Sequence, residues 1–175
     1  MSIEREKFPL TVALRAFDFI RKSIDNSCER IEIAGSCRRG KTRVSEVDMV
    51  VMSKTEVVPD GLFKTKTINM VEKVLPFGTT GGPKAFKFTL VAYPDMNVPF
   101  DMYLADRDNW GAILAIRTGP ADFSKALVCG LLRNGMKQEN GYVWRQNTGE
   151  KIPVPTEEEY FKLCGFDWIA PEKRQ

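Results

Sequence analysis

The run Gly35-Ser36-Cys37-Arg38-Arg39-Gly40, followed by Glu46-Val47-Asp48, sets phosphate-binding groups beside groups suited to a hard cation. At Gly35-Ser36 a backbone without a Cβ can approach a phosphate closely and offer it N–H groups. Arg39 supplies a planar, permanently charged fork suited to phosphate oxygens. Glu46 and Asp48 stand at i and i+2, so in a strand both carboxylates share one face. Oxygen ligands on a rigid strand suit Mg²⁺, with phosphate oxygens and waters filling the remaining positions. A third acid, Asp101, lies in Val98-Pro99-Phe100-Asp101-Met102-Tyr103. If the two acid-bearing strands are neighbours, the three acids converge, and two metal ions about 3.5–4 Å apart could clamp both oxygens of a phosphoryl transfer. Positioning and charge neutralisation would then carry most of the chemistry, with no covalent intermediate. Taken alone, such an acid pair reads more simply as a solvated strand face.

The rest of the composition narrows the chemistry. The chain holds no histidine, which removes His-based triads, His metal sites and imidazole acid–base catalysis. Cys28, Cys37, Cys129 and Cys164 are far apart with no C-x-x-C spacing. They read as buried, reduced thiols of a cytoplasmic protein. The 175 residues are long enough for one compact unit or two small lobes, and 43% apolar with 28% charged residues suits a soluble globular chain. A net charge of +3 is too mild to announce a nucleic-acid partner, because a basic groove and an acidic site partly cancel. No apolar run approaches the roughly 20 residues of a membrane span, and the start of the chain is charged. The expectation is an intracellular protein with no membrane partner.

The elements that must position the acids follow from periodicity. Leu10, Ala13, Leu14, Phe17, Ile20 and Ile24 recur at helical steps from near Pro9, predicting an amphipathic helix. Residues 30–34 alternate as a short strand running into Gly35-Ser36, and residues 47–52 form a second strand, apolar on both faces except for Asp48. Residues 61–76 are assigned to a helix, although rich in Thr and Lys. Strands near 86–93 and 99–105 follow, joined by the turn-like Pro94-Asp95-Met96-Asn97. Beyond them, 109–116 reads as a short apolar helix, broken by Thr118-Gly119-Pro120. The next helix has Asp122 in its first turn, Phe123, Leu127, Val128 and Leu131 as its buried stripe, and Asn134-Gly135 as its end. Residues 142–145 and 151–154 read as a hairpin around Asn147-Thr148-Gly149, and Thr156 with Glu159 as a capping box opening a last helix that Gly165 ends. The fold class is therefore α+β: a mixed-sheet α/β palm-like layer over 1–106, then a small α+β lobe over 107–175.

Gly35 to Asp48 together with Phe100-Asp101-Met102 resembles the palm signature of the DNA polymerase X family, the polymerase β-like nucleotidyltransferases. Arg117-Thr118-Gly119-Pro120 with the helix from Phe123, and the closing stretch Trp168 to Arg174, resemble the same family's C-terminal nucleotide-selecting domain. No counterpart of the lyase domain or the helix-hairpin-helix DNA grips is visible, so the extent is similar to the compact viral members, and a viral or phage origin is one reading of it. The resemblance implies that Glu46 and Asp48 hold two Mg²⁺ ions, with Mn²⁺ able to substitute, and that Asp101 joins them at the catalytic one. It implies that Gly35, Ser36, Arg39 and Ser45 bind the triphosphate and that Thr118 and Gly119 line the sugar. It further implies a monomer that adds nucleotides from a nucleoside triphosphate to a primer–template or gapped DNA, in gap filling or repair. Departures from the family pattern are Glu46 in place of Asp, Ile116 and Arg117 in place of paired aromatics, Ser124 and Val128 at the minor-groove-reading positions, and Pro99 in place of a basic residue.

Four further residues, Lys84, Lys87, Ser124 and Lys125, are candidate nucleic-acid contacts, the lysines having solvated turns or faces as their alternative. Arg38 reads as a partner of a local carboxylate or of DNA, and Trp110, Trp144 and Trp168 as core or lobe-packing residues. Two other functions stay open: template-independent nucleotide transfer to another acceptor, and an inactive nucleic-acid-binding relative.

Overall fold

In the computed structural model, which describes residues 6–61, 64–75, 79–80, 85–92 and 96–174, the chain is α+β around a mixed sheet. A two-residue strand, β1 (Phe8–Pro9), leads into helix α1 (Leu10–Ile24). Its three- and four-residue apolar spacing buries Ala13, Ala16, Ile20 and Ile24, while Leu14 stays exposed. Strand β2 (Cys28–Ile33) runs into α2 (Gly35–Arg38), and β3 (Arg43–Val44) returns to pair with β1. Strand β4 (Val47–Ser53) then crosses the interior, with Val47, Met49, Val50 and Val51 fully buried. Sheet burial on both faces explains why this strand reads as a nearly unbroken apolar run.

The next segment departs from the sequence reading. Residues 61–76 are not one helix. Strands β5 (Thr55–Pro59) and β6 (Thr65–Asn69) form an antiparallel ribbon, and among the described residues of this stretch only Met70–Val74 is helical, as α3. β-Branched residues at 55, 57, 58, 65, 67 and 68 favour the extended backbone. The ribbon stands apart from the main sheet and is mostly exposed, so no buried face wrote a period-two pattern into it.

The main sheet is completed by β7 (Thr79–Thr80), β8 (Ala85–Ala92) and β9 (Met96–Leu104), in the order β2-β4-β9-β8-β7. Met96 and Asn97 belong to β9, and the rest of the proposed turn lies outside the described residues. The pair β4–β9 is parallel and β8–β9 antiparallel. Phe88 stacks on Phe100 with ring centroids 4.9 Å apart, continuous with the core beneath α1.

Helix α4 (Trp110–Thr118) and helix α5 (Ala121–Arg133) are separated by Gly119-Pro120. The short strands β10 (Met136–Glu139), β11 (Tyr142–Arg145) and β12 (Lys151–Ile152) form a three-stranded sheet, of which β10 was not foreseen. Helix α6 (Glu157–Cys164) starts at the expected reciprocal capping box of Thr156 and Glu159 and ends at Gly165. Gly111 of α4 lies against the backbone before α6: a Cβ there would meet the Thr156 carbonyl oxygen at 1.9 Å. Leu127, Leu131, Val143, Val154, Tyr160 and Phe161 make a C-terminal core. A third cluster, Ala34, Val50, Ala105, Trp110, Ile113 and Leu114, joins α4 to the central strand. Trp110 is buried as expected, Trp144 half-buried, and Trp168 is 43% exposed because its segment runs over the surface. Among the described residues, no helix is long and apolar enough to cross a membrane.

Candidate active site

Parallel pairing of β4 with β9 puts Asp48 directly opposite Asp101. In such a pair the two side chains leave the same face of the sheet. Glu46 lies in the bend just before β4 rather than within the strand. Burial pushes the Asp48 carboxyl up to about 7, and the charges of Glu46 and Asp101 push the same way, against smaller opposing effects of Arg117 and Arg39. Asp48 is thus a carboxylate that its surroundings make costly to ionise.

Gly35 makes room for it. The residue has φ +59°, and a Cβ there would fall 1.9 Å from Asp48 Oδ2. The glycine needed at this position is therefore explained first by the acid behind it, where the sequence reading invoked only a phosphate in front of it. Cys37, buried beside these carboxylates, has its thiol pushed up to about 12 by burial and by Asp48 and Glu46, which makes it inert. Cys28 and Cys164 are likewise buried free thiols, whereas Cys129 is exposed, contrary to expectation, because it lies on the outer side of α5.

Asp101, 9% exposed, is engaged by two neighbours that the sequence did not assign to it. Lys87 is its cross-strand partner on β8, with Nζ 2.5 Å from Oδ2, and the Tyr103 hydroxyl donates to the same oxygen at 3.3 Å. The Arg117 guanidinium lies over the Tyr103 ring, 3.9 Å from its centroid. Burial pushes the Tyr103 phenol up, so it stays a neutral donor. Lys87, read from sequence as a nucleic-acid contact, is thus placed against an acid. Lys84 lies outside the described residues.

Above the sheet, a cavity of about 480 Å³ opens between the two parts of the chain. Gly35, Ser36, Arg39, Ser45, Glu46 and Asp48 line one side of it. Arg117, Gly119 and Ser124 line the other, with Tyr103 and Ile116. Ser124 donates its hydroxyl to the Ile116 carbonyl at 2.8 Å, fixing the α4–α5 turn. Lys125 pairs with Asp122 at the exposed surface. Thr118 is fully buried: its carbonyl accepts from Arg39 at 2.5 Å and its hydroxyl from Arg38 at 2.9 Å, while Gly119 reaches the cavity wall.

Arg38 finds its carboxylate 119 residues away. Its guanidinium makes a bidentate pair with Glu157 at 2.8 and 2.7 Å, and Arg174 adds a third bond to Glu157 at 2.7 Å. Glu157 and Arg174 were missed in the sequence, where Glu157 looked like one acid among three at a helix start. Burial alone would raise the Glu157 pKa, but the hydrogen bonds from Arg38 and Arg174, with their charges, hold it below the ordinary carboxylate range.

As hosts for a cation, Glu46 and Asp48 fit by chemistry: both offer hard oxygen donors, and both line the same cavity. The three acids are not a ready-made cage. Among the described residues, no three of His, Cys, Asp and Glu are grouped so as to hold a metal ion.

Compared with curated proteins, the chain finds no match. Its C-terminal stretch does have a family counterpart: residues 113–175, from α4 to the end, match the family model of the DNA polymerase beta thumb, which supports a relation to the polymerase β-like proteins over that stretch.

Proposed function

We propose that the chain is a DNA polymerase X-type nucleotidyltransferase that adds nucleotides to a DNA 3′-hydroxyl, in gap filling or repair. The observation that carries this reading is the in-register pair Asp48 and Asp101, with Asp48 and Glu46 lining a cavity whose far wall comes from the stretch that matches the polymerase beta thumb. In this reading residues 1–106 are the palm and 107–175 the nucleotide-selecting domain. Glu46 and Asp48 would hold Mg²⁺, or Mn²⁺ in its place, and Asp101 would face the primer 3′-hydroxyl. When bound, the ions neutralise charge on the phosphate oxygens and favour ionisation of the attacking hydroxyl. The protein's own share is positioning. Arg39, Ser36 and the backbone from Gly35 receive the triphosphate, Ser45 supports it, and Gly119 leaves space for the sugar. Arg38, spent on Glu157, ties the two parts so that both cavity walls keep their distance.

One observation favours a second reading, a nucleic-acid-binding relative without turnover. Lys87 sits on Asp101, and the acids are not grouped as a metal site. Extension of a 5′-labelled primer on a gapped duplex with Mg²⁺ or Mn²⁺, beside Asp101→Ala, separates the readings. Template-matched addition, reduced about a thousandfold or more in the variant, is the expected result. Addition indifferent to template would move the function to a terminal transferase-like activity or another acceptor. Duplex binding with no addition under either metal would establish the second reading.

A further inference from the structure

Asp101 is the most enclosed of the three acids, and its nearest cation is part of the chain. Lys87 Nζ lies 2.5 Å from Asp101 Oδ2, and the side chain of Lys87 is half exposed while that of Asp101 is 12% exposed. The contact is built into the sheet, because Lys87 and Asp101 are register partners of β8 and β9. Pro99, two residues before Asp101 on the same strand, offers no charge of its own, so the counter-charge comes from across the ladder. A lysine ammonium is a compact point charge on a flexible stem. It can therefore satisfy a carboxylate in one rotamer and leave it in another.

We propose that Lys87 is a tethered counter-cation of Asp101, which would compete with a divalent ion for the carboxylate and withdraw when that ion is bound. The inference rests on the reading of Glu46, Asp48 and Asp101 as cation ligands. Without Lys87, Asp101 would stand directly across the ladder from Asp48 with no ammonium beside it. With it, the Asp101 carboxylate is oriented, the Tyr103 hydroxyl donating to the same oxygen at 3.3 Å. Lys87 is a positioning residue with a consequence opposite to that of a ligand, since its removal strengthens cation binding.

Mn²⁺ titration followed by the electron paramagnetic resonance signal of the free ion tests this without reference to turnover. Wild type, Lys87→Met, Lys87→Gln, Asp48→Asn and Lys87→Met/Asp101→Asn are compared, with thermal melts in metal-free buffer confirming that each folds. An ammonium a few ångströms from a bound divalent ion repels it, so loss of the ammonium should tighten Mn²⁺ binding by about tenfold. Lys87→Gln should do the same, which keeps the test valid if the methionine variant folds poorly. The gain should vanish in Lys87→Met/Asp101→Asn. Unchanged or weaker binding in both single variants overturns the proposal, as does a gain that survives the loss of Asp101. If wild type binds Mn²⁺ and Asp48→Asn does not, the metal-site reading stands whatever Lys87 does. If neither wild type nor the Lys87 variants bind Mn²⁺, that reading falls together with this one.

Discussion

Two buried acidic centres lie in this chain, and the protein treats them in opposite ways. Asp48 is surrounded by Glu46 and Asp101, and its carboxyl is pushed up to about 7. Glu157 is more deeply buried, at 6% exposure, yet two guanidiniums hold it below the ordinary range. Burial is common to both, so it is compensation that differs. Around Glu157 the charges are spent within the chain, with the Arg174 guanidinium packed among Phe161, Phe123 and Trp168. Around Asp48 the neighbouring charges of Glu46 and Asp101 oppose its ionisation, and Asp48 itself lines a cavity. A carboxylate that is costly to keep charged, beside open space, belongs to binding or catalysis, whereas one closed by three hydrogen bonds belongs to the scaffold.

The sharpest way to break that contrast is to remove the scaffold acid. Glu157→Ala would leave Arg174, with a side chain 0% exposed, buried without its carboxylate, and Arg38 without its bidentate partner. Losing one member of such a group costs about 3–5 kcal/mol, read as a lower midpoint in urea denaturation. A loss below about 1 kcal/mol would mean that water reaches Arg174 easily and that the triad is no scaffold.

The corresponding change at the other centre should have the opposite sign and a smaller size. Asp48→Asn removes a carboxyl that burial and its acidic neighbours make costly to ionise, at nearly constant volume. Replacement of a strained functional group of this kind stabilises by about 1–2 kcal/mol, while nucleotide addition, where present, is lost. If Asp48→Asn destabilises the fold instead, the acid is structural and the comparison fails on this side.

What the sequence disclosed of these two centres follows from the range over which each is assembled. Asp48 stood out because a strand apolar on both faces carried a single acid, and Gly35-Ser36 marked the turn before it. The helices around Gly119-Pro120 and the capping box at Thr156 were legible for the same reason: their signals are local, spaced by three or four residues. Lys87 on Asp101 is a matter of strand register between β8 and β9, and no local pattern records register. Glu157, Arg38 and Arg174 meet only after the C-terminal helices fold back over α2, across 119 residues in the case of Arg38. The ribbon of β5 and β6 failed for a different reason. Its strands bury almost nothing, so Thr and Lys at those positions carried no face to read.

The smallest expected effect is a difference in how the two centres respond to acid. A carboxylate whose folded-state pKa lies below its unfolded value of about 4.3 adds stability at higher pH. That contribution is complete above the unfolded value and is lost as pH falls through the folded one. Glu157 is such a group, because the bonds from Arg38 and Arg174 overcome the effect of its burial. Wild type should therefore hold a constant advantage over Glu157→Gln between about pH 6 and 7, and that advantage should shrink below about pH 4. Asp48→Asn should keep the wild-type decline below about pH 4, since Asp48, pushed up to about 7, is already protonated there. Urea denaturation midpoints across this range read both comparisons. An Asp48→Asn variant that lost the decline would place the acid-sensitive charge at the cavity instead, and Glu157 would no longer be the group whose ionisation the fold depends on.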